Sequence, residues 1–160
     1  MLGVKITGIG IYVPEKVVTN ADIAEILRDR RNDFINKGFI HTDDPRVEQF
    51  NCDPEWIMAR TGIRKRRHAE PNEATSDLAV RAAESALNMA GLCKESLQFI
   101  IVATVTPDYP ATPPTAAIVQ HKLALSQKTA VFDVSVACSS FISALALGYG
   151  MIRAGRFRAG

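Results

Sequence analysis

Ala130-Val131-Phe132-Asp133-Val134-Ser135-Val136-Ala137-Cys138-Ser139-Ser140-Phe141, continued by Ile142 to Ile152, is the stretch from which the fold is read. Its β-branched apolar start predicts a buried strand, and a small tight turn follows. Ser140 to Ile152 then predicts a helix with Phe141, Leu145 and Tyr149 on one stripe and Ala144, Leu147, Gly148 and Met151 filling most of the rest. Cys138 falls at the hinge between strand and helix. The free N–H groups and dipole of a helix start stabilise an anion. A cysteine so placed has its pKa drawn down from about 8.5 towards roughly 3.5–7.5. The thiolate formed there attacks carbonyls and thioesters. The plainer reading is that a cysteine in an apolar run is a small buried hydrophobe. Position and composition alone leave both open.

The 160 residues are 47% hydrophobic and 22% charged, as in an average globular domain with its own core. A net charge of +2 is too small to argue for nucleic acid. No apolar run is long enough to predict a membrane span. Met1-Leu2-Gly3-Val4-Lys5 lacks the pattern of a signal peptide. Cys52, Cys93 and Cys138 are odd in number and show no CxxC spacing, which argues against a disulfide framework or a metal site and fits a reducing cytoplasm.

Val4 to Val13 alternates branched residues with Gly8 and Gly10 before Pro14, and predicts a strand that a neighbour approaches closely. Asn20 is the expected N-cap of a helix from Ala21 to about Arg30. Arg31 to Cys52 is polar and poorly periodic, and is expected as an exposed loop with one helical turn. Asp53 as cap, Pro54 at the first position and Gly62 as stop predict a helix carrying Trp56 and Arg60 four apart, on one face. An indole and a guanidinium so placed are able to hold a planar base between them. The competing reading packs Trp56 in the core and leaves Arg60 solvated. Arg64 to His68 reads as a solvated strand end. Thr75 or Ser76 is expected to cap a helix through Ala90 that stops at Gly91. Phe99 to Thr104 predicts an inner strand covered on both faces. Four prolines stiffen Thr106 to Pro114, and a helix containing His121 runs on to Leu123. The order of elements is that of an α/β fold with parallel inner strands and the cysteine at a strand's carboxyl end.

Val134 to Phe141, with its Ala-Cys-x-x-Phe core, resembles the nucleophile turn of the thiolase superfamily. Within it the chain is most similar to 3-oxoacyl-acyl-carrier-protein synthase III. Glu55-Trp56-Ile57-x-x-Arg60-Thr61-Gly62-Ile63-Arg64 and Ile6-x-Gly8-x-Gly10-x-Tyr12-x-Pro14 are also similar to that family, whereas Arg31 to Cys52 resembles an insertion. The resemblance implies a thiolase-like α/β fold, a mixed and mainly parallel sheet between helical layers. It implies Cys138 as nucleophile, and Trp56 and Arg60 as the grip on the adenine end of coenzyme A. It further implies acyl-coenzyme A as substrate rather than a resident cofactor, acyl carrier protein as partner, a homodimer, and a cytoplasmic enzyme of fatty-acid initiation. The family's histidine and asparagine have no match here, since His41, His68 and His121 all precede Cys138. Residues 1–160 are therefore expected to be an amino-terminal half whose carboxy-terminal half is absent from this chain, with no condensation completed by the half alone. A related starter-type condensing enzyme of the alkylquinolone, polyketide or hydroxymethylglutaryl-coenzyme A synthase type is the nearest alternative, and Ser139-Ser140, in place of a smaller pair, is expected to reshape the pocket. A non-catalytic coenzyme A-binding or dimerising half is the alternative of a different class.

Overall fold

The computed structural model describes residues 3–160. In chain order the elements are β1 (Lys16–Thr19), α1 (Asn20–Asn36), a 3-10 segment (Pro45–Phe50), α2 (Pro54–Thr61), β2 (Lys65–His68), α3 (Thr75–Ala90), β3 (Phe99–Ala103), α4 (Thr115–Lys122), β4 (Ala130–Val134) and α5 (Ser140–Arg153). They fall into two compact units, one of Pro14–Glu70 and one of the residues up to Val13 with Pro71–Gly160.

In the larger unit β3 and β4 pair in parallel, Phe99 opposite Ala130 and Ala103 opposite Val134. The period of two along β3 separates its faces. Val102, with Ile100, packs into the core that α4 supplies through Ala116, Val119 and Leu123 and α3 through Ala79, Val80 and Ala83. Phe99 and Ile101 point the other way, towards Gly148 of α5. Helices thus cover both faces of a parallel ladder, the layering expected of a βαβ unit. β4 is less enclosed than a buried strand, because Phe132 and Asp133 stay exposed.

Residues 4–13 form no strand, contrary to the expectation from their composition. A strand needs a ladder partner, and none pairs with this segment among the described residues. It lies instead against α3. A Cβ built on Gly10 would collide with the Ala82 carbonyl and the Ala86 amide, and one on Gly8 with the Ala86 carbonyl. Tyr12 fastens the segment, donating to Glu73 Oε1 at 3.2 Å while the Arg81 guanidinium lies 4.6 Å from its ring centroid. Arg81 in turn pairs with Glu73 at 3.0 Å.

Two predicted caps move. Ala74, not Thr75 or Ser76, precedes α3. Asp77 Oδ2 accepts from the Ala74 amide at 2.9 Å, while Ser76 donates its N–H and its hydroxyl to Asp108 at 3.0 and 2.5 Å. In the smaller unit Thr19, not Asn20, caps α1, in a reciprocal capping box with Asp22. Asn20 is buried and joins three elements, donating to the carbonyls of Pro54 and Ile63 and accepting from Arg66. The presumed loop from Arg31 also begins as helix, because α1 runs to Asn36 and turns off at Gly38, whose φ of 71° suits glycine. Phe34 then meets Phe39 and Phe50 edge-on at 5.9 and 5.8 Å, giving the segment a small apolar nucleus of its own.

Gly10→Ala is expected to cost about 1–3 kcal/mol through overpacking against α3. Gly150→Ala, where an added Cβ meets nothing within 4 Å, is expected to stabilise α5 by about 0.5–1 kcal/mol. Urea melts of the two variants check the contrast.

Asp77 supplies a pH test. The Lys122 ammonium, and then the Ala74 N–H, hold its carboxyl below the ordinary value of 3.8. A carboxyl depressed in the folded state stabilises above its unfolded pKa, and the contribution is lost as pH falls through the folded one. Asp77→Asn is therefore expected to flatten the fall in stability below about pH 4, read from acid-unfolding curves.

Candidate active site

Cys138 stands where the sequence places it, past the carboxyl end of β4. Val134 ends the strand, Ala137–Ser139 make one 3-10 turn, and α5 begins at Ser140. The cysteine is exposed rather than packed in the core of the larger unit. Ala137, just before it, has φ of 50°. The left-handed region costs a residue with a Cβ about 1–2 kcal/mol, so neighbouring bonds must hold the turn. The Ser139 amide and hydroxyl both donate to the Val136 carbonyl, at 3.2 and 2.8 Å. Ser140 Oγ accepts from the Val136 amide at 2.9 Å and donates to the Ala137 carbonyl at 2.8 Å. Ser139 occupies the N-cap position of α5 without making a side-chain cap bond. The Ser140 amide donates to the Ala137 carbonyl instead, so the 3-10 turn runs directly into α5, at the end where the helix concentrates its partial positive charge.

Sequence reasoning missed how the strand leading to this turn is anchored. Asp133 sits on β4 and accepts from the amides of Thr115 and Ala116 at 2.7 and 2.8 Å, filling the start of α4. The fully buried Thr115 accepts from the Asp108 amide at 3.2 Å. Lys122 reaches back to Ser76 Oγ at 2.7 Å and Asp77 Oδ1 at 2.6 Å. A lone Asp in an apolar strand was the available signal, since a carboxylate there must find donors. Ser140, the first residue of the predicted helix, is buried and engaged with the turn itself.

The other two site residues lie in the Pro14–Glu70 unit, on α2. The helix is only eight residues long, so its caps matter. Asp53 Oδ1 accepts from the Trp56 amide at 2.6 Å, and Gly62 closes the end at φ of 68°. Ile57 points inward at 5% exposure and Trp56 outward at 48%. The Arg60 guanidinium lies 5.3 Å from the Trp56 ring centroid. The spacing therefore brings the pair together as expected and leaves the tryptophan out of the core. The two stack on one another rather than framing a slot. Cys52, just upstream, donates its thiol to the Gln49 carbonyl at 3.6 Å and lines a cavity of about 320 Å³ with Arg28, Phe50 and Asp53. His41, His68 and His121 are all exposed. Among the described residues no cluster of His, Cys, Asp or Glu is arranged to hold a metal ion, and no helix is long and apolar enough to cross a membrane.

Residues 57–160 match the family described as thiolase, N-terminal domain. The chain is 44% identical over 155 residues to a beta-ketoacyl-[acyl-carrier-protein] synthase III of Clostridium perfringens, an alignment covering 97% of this chain and 40% of the relative. Among solved structures it is similar to 3-oxoacyl-[acyl-carrier-protein] synthase III from Aquifex aeolicus, with 36% identity, a TM-score of 0.76, and coverage of 98% of this chain and 42% of that one. It is also similar to Xanthomonas campestris OleA, with 26% identity, a TM-score of 0.70, and coverage of 95% and 39%. The chain thus spans about two fifths of the length of the relatives it matches.

Exposure orders the thiols. Cys93 and Cys138 are exposed, whereas Cys52 is half-buried and hydrogen-bonded. Limiting iodoacetamide followed by peptide mapping is expected to label Cys93 and Cys138 ahead of Cys52; modification of Cys52 first contradicts the geometry described.

Proposed function

The chain belongs to the thiolase N-terminal domain family, and on that premise we propose that it is the cysteine-bearing part of an acyltransferase that begins fatty-acid chains. The observation that carries this is the exposed Cys138 in a strained turn at the start of α5. Its thiolate attacks the carbonyl carbon of an acyl-coenzyme A thioester. The tetrahedral oxyanion collapses, the carbon–sulfur bond to coenzyme A breaks, and the acyl group stays on Cys138 while coenzyme A leaves as its thiolate. In the second stage malonyl-acyl carrier protein loses carbon dioxide. The carbanion left behind attacks the acyl-cysteine carbonyl, a carbon–carbon bond forms, and the Cys138 thiolate is expelled.

Trp56 and Arg60 hold the adenine end of coenzyme A in this reading. The guanidinium already covers one face of the indole, so the base stacks on the other. Arg64, Lys65 and Arg67 on and beside β2 add positive charge to the same unit, which favours the coenzyme's phosphates and an acidic carrier protein by long-range attraction. The groups that stabilise the carbanion are assigned to parts of the longer relatives outside these 160 residues. A homodimer working in the cytoplasm completes the proposal. A second reading, a sister condensing enzyme with a different acyl donor, draws on the comparable fold similarity to OleA.

Incubation with acyl-coenzyme A and mass mapping tests the first stage. An acyl group on Cys138, absent from Cys52 and Cys93 and lost in Cys138→Ala, is the expected result. Failure to acylate Cys138 sinks the enzyme reading and favours a binding module. Trp56→Ala is expected to raise KM for acyl-coenzyme A by about tenfold, since stacking on a base is worth roughly 1–3 kcal/mol, with little change in kcat.

A further inference from the structure

The turn carrying Cys138 is held by two serine hydroxyls that are not equivalent. The Ser139 hydroxyl repeats a bond already made by its own backbone, because the Ser139 amide donates to the same Val136 carbonyl. The Ser140 hydroxyl also donates to a carbonyl that its own amide already serves, that of Ala137 at 2.8 Å, but this hydroxyl, on a residue 5% exposed, is in addition the acceptor for the Val136 amide at 2.9 Å, a bond that no backbone group of the turn duplicates. A hydroxyl has one proton to give and lone pairs to accept with, and both functions are used here. The two bonds close on the backbone on either side of the peptide joining Val136 to Ala137. Ala137 is the residue at φ of 50°, and Cys138 follows it directly.

We propose that Ser140 is a positioning residue for Cys138. The side chain at 137 does not itself favour the left-handed conformation, because alanine has none of glycine's freedom there. Without the hydroxyl the Val136 amide loses its acceptor, and the left-handed residue can relax towards an ordinary conformation. That relaxation swings the next Cα–Cβ bond, and with it the sulfur, away from the start of α5. Ser140 touches neither substrate nor the reacting atoms in this account. It acts through the backbone, and its removal is felt in the rate of acyl transfer more than in coenzyme A binding. The inference rests on the reading of Cys138 as the nucleophile.

The test is single-turnover acylation of the complete gene product by acyl-coenzyme A, comparing wild type with Ser140→Ala, Ser140→Thr and Ser139→Ala. Labelling of the remote Cys93 and circular dichroism monitor folding. Ser140→Ala is expected to lower the acylation rate by about tenfold to a hundredfold, the scale of an ångström-level misplacement, with KM for acyl-coenzyme A nearly unchanged. Ser140→Thr keeps the hydroxyl and is expected to recover most of the rate; Ser139→Ala is expected to match wild type. Should Ser140→Ala fail to fold, Ala137→Gly/Ser140→Ala is compared with Ala137→Gly: glycine keeps the left-handed conformation without the hydroxyl, so the double variant is expected to hold the rate of Ala137→Gly, and a loss of about tenfold or more there overturns the route through Ala137. A folded Ser140→Ala protein with the wild-type rate, or Ser139→Ala as damaging as Ser140→Ala, overturns the proposal. An unacylated wild-type Cys138 would instead overturn the enzyme reading, so the two failures are distinguishable.

Discussion

A carboxylate on the last turn-facing position of β4 meets the bare amides at the start of α4, and the larger unit is arranged around that meeting. Asp133 uses both oxygens, one on Thr115 and one on Ala116. Hydrogen bonds to a charged group contribute about 1.5–3 kcal/mol, a large share of the roughly 5–15 kcal/mol that stabilises a domain. The position matters as much as the energy. The Thr104 amide donates to the Val134 carbonyl at 3.1 Å. The proline-rich connection therefore leaves β3 beside Val134 and re-enters helix at Asp133. Both its ends are tied to residues shortly before Cys138. Asp108 does for α3 what Asp133 does for α4, receiving the Ser76 amide and hydroxyl. Two helix starts are thus satisfied by carboxylates from distant parts of the chain, and the strand that presents the cysteine is fixed by the same bonds.

Local punctuation was legible; long-range partnership was not. α2 follows from Asp53, Pro54 and Gly62, each acting on its own backbone, and α5 with its preceding turn follows from an equally local pattern. Gly38 was an available stop signal for the end of α1, but the polar residues before it hid the two apolar side chains, Phe34 and Ile35, that continue the helix. The cap signal at the start of α3 was misleading, because Ala74 has no side-chain acceptor and the Ser76 bonds go to Asp108. Residues 4–13 show the limit most clearly. Their composition is that of a strand, but a strand is a relation between two segments, and their glycines serve contact with α3 instead.

The same distinction separates the site residues. Trp56 and Arg60 meet because four residues of helix bring them together, so spacing alone sufficed. Cys138 is reactive in the proposed chemistry because of where the turn puts it, and the turn depends on Ala137 in a conformation that its own side chain disfavours. Sequence indicated the location of the sulfur; the hydrogen bonds that hold its neighbour were visible only in three dimensions.

The apolar surface follows the same logic. Phe141 and Ile142 are each 66% exposed and Tyr149 is 53% exposed, so the stripe predicted for α5 exists but faces outward, while the opposite side, at Gly148, meets Phe99 and Ile101. Ile6, Ile9 and Ile11 are exposed as well. Just before β3, Gln98 receives a bond from Ala130 on its carbonyl and gives its amide to Ala159 at 3.0 Å. The backbone just before β3 is thereby bonded on both sides, and the ring of Phe157 packs 5.3 Å from that of Phe99. Ala159, after α5, therefore lies beside the residue that precedes β3.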